Sequence, residues 1–443
     1  MPDLLFIPEL RELSARRNLI RIPHETDVPL TPRVRRLVDT SAFRRLARIS
    51  QVGLVSLVYP AANHSRFEHS LGVYRNALLY LQQLATEERF AALIEPADAE
   101  LLIAAALLHD LGHWPFCHPI EDIALPGVPT HEVFGRQFLL ENNEVASAIK
   151  DDWGIEPSAV AALLADKPQV KKRKLLHSLL SGPIDIDKLD YLSRDSLHAG
   201  VPYGRHFDQQ RIIGSLCLNE AGDGLALRDK GRTAAEMMVF ARYVMFSEVY
   251  WHHAVRSATA MFQRAFFLLR EKLDLDSLFR LAEGAFVNEL EQAAAGTGAA
   301  DLLDGLFGPR RRLYKRLAEF SYFQNGEWYE NIARQPYANL AAFSERFAGA
   351  AARQLGRTIA PHEILFDAPP QHREVEFDVE IFFPKERVYR PLGEVSPVVH
   401  TLATKQFDDY VKRVRIFTRA ELAGDLASLR LDDVLAESLQ EMA

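Results

Sequence analysis

The chain has 443 residues, enough for two or three modules and a large buried core. Its 52 Lys and Arg against 60 Asp and Glu leave a formal charge of −8, which argues against non-specific coating of nucleic acid or anionic membrane. Two cysteines, Cys117 and Cys217, are too few for a disulfide framework or a cysteine-rich zinc site.

The N-terminus lacks the basic-then-apolar pattern of a leader peptide. The longest strongly apolar run, Leu101 to Leu108, falls far short of the ~20 residues of a membrane helix. A soluble, cytoplasmic protein is expected. Residues 1 to 60 mix short apolar stretches with Pro and Arg. Glu68 to Leu84 places Leu71, Leu78, Leu79 and Leu81 at near-helical spacing. Ala99 to Leu111 is apolar almost all round and predicts a helix buried inside a bundle. Thr130 can cap a helix through Val133, Phe134 and Phe138. Ala234 to Leu273 contains no Pro or Gly and predicts one long helix. Gly284 to Gly308 is rich in small residues and holds the one linker-like stretch, Ala-Gly-Thr-Gly-Ala. From Glu374 to Ile381 acidic and apolar residues alternate, as in a half-buried strand with an acidic outer face. Arg413 to Phe417 alternates in the same way, with Arg413 and Arg415 outward, so the two strands are expected to pair. The fold class predicted is mainly α, a helical body with a smaller C-terminal α+β region. Its modules are expected at 1–285, 286–370 (a helical extension) and 371–443.

Fifteen histidines are the compositional oddity, and several cluster between His64 and His131. The strongest local signal is His109-Asp110-Leu-Gly-His113-Trp-Pro-Phe-Cys-His118 at the end of the most apolar helix. An unpaired carboxylate there would be costly to bury. Imidazole and carboxylate together are good ligands for a divalent ion. Neighbouring helical residues point about 100° apart, so a metal must sit where this helix meets others. A His-Asp pair that merely hydrogen-bonds is the plainer alternative. Two further segments bear on the choice. His64-Ser-Arg66-Phe-Glu68-His69 opens a helix, and Asp185-Ile-Asp187-Lys188-Leu-Asp190-Tyr191 is an acidic helical turn. On that helix Asp187, Tyr191 and Asp195 share one face.

The order His69, then His109-Asp110, then Asp187 resembles the H…HD…D signature of the HD-domain metal-dependent phosphohydrolases. Within them, Gln51-Val-Gly-Leu-Val, Tyr59-Pro60, His64 to His69, His109 to His118 and Asp185 to Tyr191 are most similar to deoxynucleoside triphosphate (dNTP) triphosphohydrolases. The likeness runs from about residue 18 to 320. It implies an HD-domain helical bundle in the first module. It also implies hydrolysis of a dNTP to deoxynucleoside and inorganic triphosphate. His69, His109, Asp110 and Asp187 would ligate a divalent metal (Fe, Mn, Zn or Mg), and a substrate-bound Mg would join it. His113, His118, Glu121 and His131 would face the triphosphate and move its protons, the sequence leaving open whether His118 or His131 is the acid. Arg66, Lys188 and Arg242 would hold phosphates. Tyr191, Asp195 and Gln51 would read the sugar, and Tyr250 the base and sugar. Rival readings are another HD nucleotidase or phosphodiesterase, or a non-catalytic nucleotide- or nucleic-acid-binding protein. The partners implied are the dNTP and further copies of the chain, as a dimer or tetramer. The basic run Lys171-Lys-Arg-Lys174 reads as a solvated helix start rather than a nucleic-acid contact, and no membrane is expected.

The sequence departs from the family at the site for a guanine nucleotide activator. Asn18, Ile22-Pro-His-Glu-Thr26 and Ala47 replace the expected residues, whereas Asp39, Arg311 and Lys315 match. Trp251 follows Tyr250 where the vertebrate pattern has Gln, so no base preference carries over.

Overall fold

The computed structural model describes residues 3–23, 26–141, 143–165, 167–370, 378–402 and 411–440, and it is mainly helical. A short hairpin, β1 (Leu19–Ile22) and β2 (Thr26–Pro29), precedes the helical body. Helix α1 (Arg66–Leu84) opens on Ser65, whose hydroxyl accepts from the Glu68 amide at 3.3 Å. Helix α2 (Pro96–Leu108) begins with Pro at its first position and a reciprocal Glu95–Asp98 capping box. Every residue from Leu101 to Leu108 is buried, so α2 forms the axis of the core. Each fully buried Leu or Ile in it contributes about 1.5–3 kcal/mol. The helix stops at the His109-Asp110 doublet, and a turn leads into α3 (Cys117–Asp122).

Phe116 enters that turn with φ +56, a left-handed conformation costing roughly 1–2 kcal/mol for a residue with a side chain. Its ring is held among Phe262 (4.8 Å), Phe307 (5.4 Å) and Phe286 (6.1 Å). Helix α4 (His131–Glu141) then crosses the turn. Thr130 caps it as expected, its hydroxyl facing the Val133 amide at 3.5 Å. Gly112 permits the crossing: a Cβ there would stand 2.2 Å from the His131 carbonyl and 2.3 Å from the Gly135 nitrogen. Helix α5 (Ile186–His198) is capped by Asp185, which accepts from the Lys188 amide at 2.7 Å, and packs on α1.

Beyond residue 214 the structure corrects three expectations. The long helix is broken: α6 (Arg232–Met245) runs into one wide turn of π type at Phe246–Tyr250, and α7 (His253–Leu269) starts afresh. The break follows from tertiary contacts, since buried Trp251 lies under the Arg256 guanidinium (4.3 Å) and His252 caps the Ala254 amide (3.3 Å). The linker-like stretch is a tight turn between α8 (Glu283–Ala294) and α9 (Gly298–Phe307), both packed on α7. Its small residues serve close packing, and Thr297 caps α9 through the Ala299 amide at 3.3 Å.

The third correction concerns the strands. One sheet has the order β3 (Leu216–Leu218), β4 (Leu225–Arg228), β7 (Glu380–Phe383), β8 (Val388–Pro391), with β4 and β7 parallel. The other, antiparallel, has the order β5 (Lys315–Phe320), β9 (Val414–Thr418), β6 (Ile364–Asp367). The alternating segments at 380 and 414 therefore lie in different sheets and do not pair, and the stretch 374–377 lies outside the described residues. Arg415 does not point outward. It is buried, its Nε donating to the half-buried Glu319 on β5 at 2.7 Å, and this countercharge is why the strand turns that face inward.

Candidate metal centre and active site

Four side chains from α1, the end of α2 and α5 converge on one point. His69 Nε2 lies 3.0 Å from Asp187 Oδ1 and 4.0 Å from Asp110 Oδ2. His109 Nε2 lies 3.2 Å from His69 Nε2, 3.4 Å from Asp110 Oδ1 and 3.9 Å from Asp187 Oδ1. The outer nitrogens fix the rings. His109 Nδ1 can only donate to the Ala106 carbonyl (2.9 Å), and His69 Nδ1 meets Asp190 Oδ2 at 2.8 Å. His109 therefore presents a lone pair to His69, with two carboxylates alongside. Acceptors facing one another in a buried place require a cation between them. Without a metal a proton takes that place: burial opposes a charge on His69, but its bonds to Asp187 and Asp190 outweigh it and hold the ring up to about 10. The two imidazoles and two carboxylates suit a divalent ion with N/O preference.

A ring of charged side chains braces the cluster. Arg66 donates to Asp110 Oδ2 at 2.9 Å. Burial works against the Asp110 charge, but the surrounding imidazoles and this guanidinium keep its carboxyl well below the usual range. Arg194 grips Asp190 with two bonds (2.7 and 2.8 Å) and reaches Glu68 at 2.6 Å. Gly72 lets α5 come this close, since a Cβ there would lie 1.9 Å from Asp190 Oδ1.

A second group sits beside the first. Glu121 accepts from the His131 backbone amide (2.7 Å) and faces His131 Nδ1 at 2.9 Å and His118 Nδ1 at 3.3 Å. Burial opposes both charges, yet the mutual hydrogen bonds hold the Glu121 carboxyl below and the His131 ring above their ordinary values. The His113 ring lies 4.0 Å from the His131 ring, and burial, with Arg66 nearby, pushes His113 well below the usual imidazole range. It is a neutral ring wedged between the two groups. The third group is Asp195, which receives the Tyr250 hydroxyl at 2.5 Å and meets His64 Nε2 at 2.8 Å. Burial pushes the Tyr191 phenol up to about 12 and the Tyr250 phenol well above its ordinary value, so both remain neutral donors.

All three groups line one cavity of about 1020 Å³, ample for a nucleotide-sized ligand. Of the metal, catalytic and substrate residues expected from the sequence, all but Lys188 and Arg242 line it. Lys188 is turned to Asp185 (2.6 Å) and the Gly182 carbonyl (3.1 Å), and Arg242 stacks on Phe246 at 5.4 Å. The charges of both reach Tyr191 from outside the lining. Two residues without an assigned role, His64 and Asp190, anchor Asp195 and His69. Asp190 had a signal, an Arg four residues on at Arg194, the spacing of an ion pair on one helix face. The far wall adds Trp251, Arg256 and Lys412 from the second half of the chain.

The HD-domain profile matches residues 66–195 and the HD-associated-region profile residues 207–436. The chain is 30% identical over 437 residues to an uncharacterized protein of Methanocaldococcus jannaschii, covering 96% of this chain and 84% of that one. It is 29% identical over 278 residues to the deoxynucleoside triphosphate triphosphohydrolase of Homo sapiens, covering 56% of this chain and 44% of the human one. The crystal structure of a hypothetical protein from Aquifex aeolicus is similar over 93% of this chain and 98% of its own, with a TM-score of 0.70 at 26% identity. That of a phosphohydrolase from Bacteroides thetaiotaomicron shares the fold, with a TM-score of 0.66 at 24% identity over 91% of this chain and 100% of that one. No helix among the described residues is long and apolar enough to cross a membrane. With the HD domain and its associated region together spanning most of the chain, and the donors of the HD signature gathered at one point, the protein belongs to the HD-domain phosphohydrolase family.

Proposed function

We propose that the protein hydrolyses dNTPs to deoxynucleoside and inorganic triphosphate in this cavity. The observation that carries the reading is a juxtaposition: the four-donor cluster and the Glu121-held His131 line the same cavity as Tyr191, Asp195 and Tyr250. The likeness to named dNTP triphosphohydrolases from chicken and human supports it.

His69, His109, Asp110 and Asp187 hold the divalent ion, of Fe, Mn, Zn or Mg type, and a further Mg accompanies the substrate. When bound, the ion polarises the phosphoryl oxygen and acidifies water. The protein's own groups do the rest. Arg66 keeps Asp110 ionised and offers the cavity a buried Nε that has no hydrogen-bond partner among the described residues, a donor for a phosphate oxygen. His131, whose proton the Glu121 carboxylate holds above the ordinary imidazole range, gives that proton to the departing 5′-oxygen. His118 shares that carboxylate and is the more exposed, at 59% against 22% for the His131 side chain, so His131 is the better-shielded acid. Tyr191 and the Tyr250–Asp195 pair form the sugar wall, where a 2′-hydroxyl meets Tyr191, and the unpartnered Gln51 Oε1 accepts at the sugar edge. Lys188 and Arg242 act on the phosphates from behind Tyr191. The active form is a dimer or tetramer of a soluble, cytoplasmic chain.

The test is chromatography of products after incubation with each dNTP and Mn²⁺ or Mg²⁺. Deoxynucleoside with intact triphosphate is expected. Nucleoside monophosphate with pyrophosphate would contradict the reading and favour a different HD phosphohydrolase activity.

A further inference from the structure

Cys117 stands in the first turn of α3, lines the cavity and has no part in the hydrolysis proposed above. Its thiol is buried, with the Glu121 charge nearby. One ligand atom each from Cys117, His113 and His131 lie within 4.8 Å of one another. A tetrahedral zinc with bonds of about 2.0–2.1 Å to nitrogen and 2.3 Å to sulfur sets its donors roughly 3.3–3.6 Å apart. Closing the three donors onto one ion therefore takes movements of about 1 Å or less, which side-chain rotation supplies. The fourth position of a tetrahedral ion is left to water from the cavity.

We propose that His113, Cys117 and His131 form a second metal site, selective for a soft divalent cation such as zinc, whose occupation switches hydrolysis off. The chemistry differs from that of the first cluster. Two imidazoles and two carboxylates accept Mg²⁺ and Mn²⁺ as well as zinc, whereas two imidazoles with a thiolate discriminate against the hard ions. On binding, the Cys117 S–H bond breaks and a sulfur–metal bond forms without electron transfer. The proton leaves to solvent water through the cavity that Cys117 lines. The bound ion takes a His131 nitrogen out of proton transfer. That inhibitory consequence rests on the role proposed for His131; the binding does not.

The experiment titrates Co²⁺ into metal-stripped Asp187→Ala protein, in which the first cluster has lost a ligand. A sulfur-to-cobalt charge-transfer absorption in the near ultraviolet should grow to one equivalent, be displaced by Zn²⁺, and be absent when Cys117→Ser is added. No such band in Asp187→Ala overturns the site, as does a band that survives Cys117→Ser, which would assign it to Cys217. In the Mn²⁺-loaded enzyme, zinc should inhibit wild type at a concentration at least about tenfold below that needed for Cys117→Ser. Equal inhibition of the two overturns the switch. An enzyme inactive on every dNTP would remove the hydrolytic reading, and the cobalt band would then decide the site alone.

Discussion

Replacing Glu121 by Gln separates the charge of this residue from its shape. Gln keeps an oxygen for the His131 backbone amide, now 2.7 Å away, but cannot stabilise a proton on the His131 ring at 2.9 Å as a carboxylate does. A hydrogen bond to a charged group contributes about 1.5–3 kcal/mol. At 1.36 kcal/mol per unit, losing it lowers the His131 pKa by roughly 1–2 units. If protonated His131 is the acid, activity falls as pH rises through that pKa, and the alkaline limb of kcat/KM should move down by the same amount. Rates near pH 8 should drop about ten- to a hundredfold, while the two enzymes converge at the acid end of the profile. The stability sign agrees. His131 is raised in the folded state, so its contribution is complete below about 6.5 and is lost as pH rises through the folded value. Glu121 is depressed, so its contribution is present above about 4.5 and is lost as pH falls. The Tm advantage of wild type over Glu121→Gln should therefore peak between these two values. A kcat/KM ratio constant across pH would refute the assignment of His131.

Asp110→Ala and Asp187→Ala should each lose the bound divalent ion, and metal analysis showing equal content in wild type and both variants would remove the four-donor centre. Asp367 accepts two bonds from buried Arg256 (2.6 and 3.1 Å), so Asp367→Ala should destabilise the fold by about 3–5 kcal/mol in urea unfolding, with Arg256→Met partly restoring it. With Tyr191 and Asp195 on the sugar wall, dGTP and dATP should be turned over faster than GTP and ATP; equal rates would contradict that wall. Because Asn18 and Ala47 replace cations of the activator site, dATP or dTTP alone should be hydrolysed without dGTP. A stimulation of at least roughly tenfold by dGTP, about 1.4 kcal/mol of coupling, would show that an activator site persists in another form.

What the sequence made legible is what local physics decides. The apolar spacing of α1, the all-round apolar face of α2 and the cap at Thr130 all read correctly, because helix periodicity and capping are set within a few residues. The motif residues read as neighbours were brought together around one cavity, since short motifs on helix ends carry their geometry with them. Non-local choices were illegible. Alternation marked the segments around 380 and 414 as strands but could not name their partners, which lie at 225–228 and 388–391 for the first and at 315–320 and 364–367 for the second. Nor could alternation show that Glu319, 96 residues away, would draw Arg415 inward. The π-type turn at 246–250 depends on the stacking of Trp251 and Arg256, which no propensity foresees. Nor did position show that the cap residue Asp185 would hold the Lys188 ammonium group, so that its charge acts from outside the cavity lining.

The strand order also dictates when a newly made chain can become whole. β9 is the middle strand between β5 and β6 yet follows both in the chain, and β7 joins β4 across some 150 residues. Until residue 418 has left the ribosome, β5 and β6 present unpaired edges with no strand between them. The helical body can collapse first, but Lys412, just before β9, and Pro370 complete the cavity wall, so the cavity stays open on that side until β9 arrives. A chain made only as far as β6 would thus hold a helical core, an open cavity and two unpaired edges, the combination for which chaperones compete.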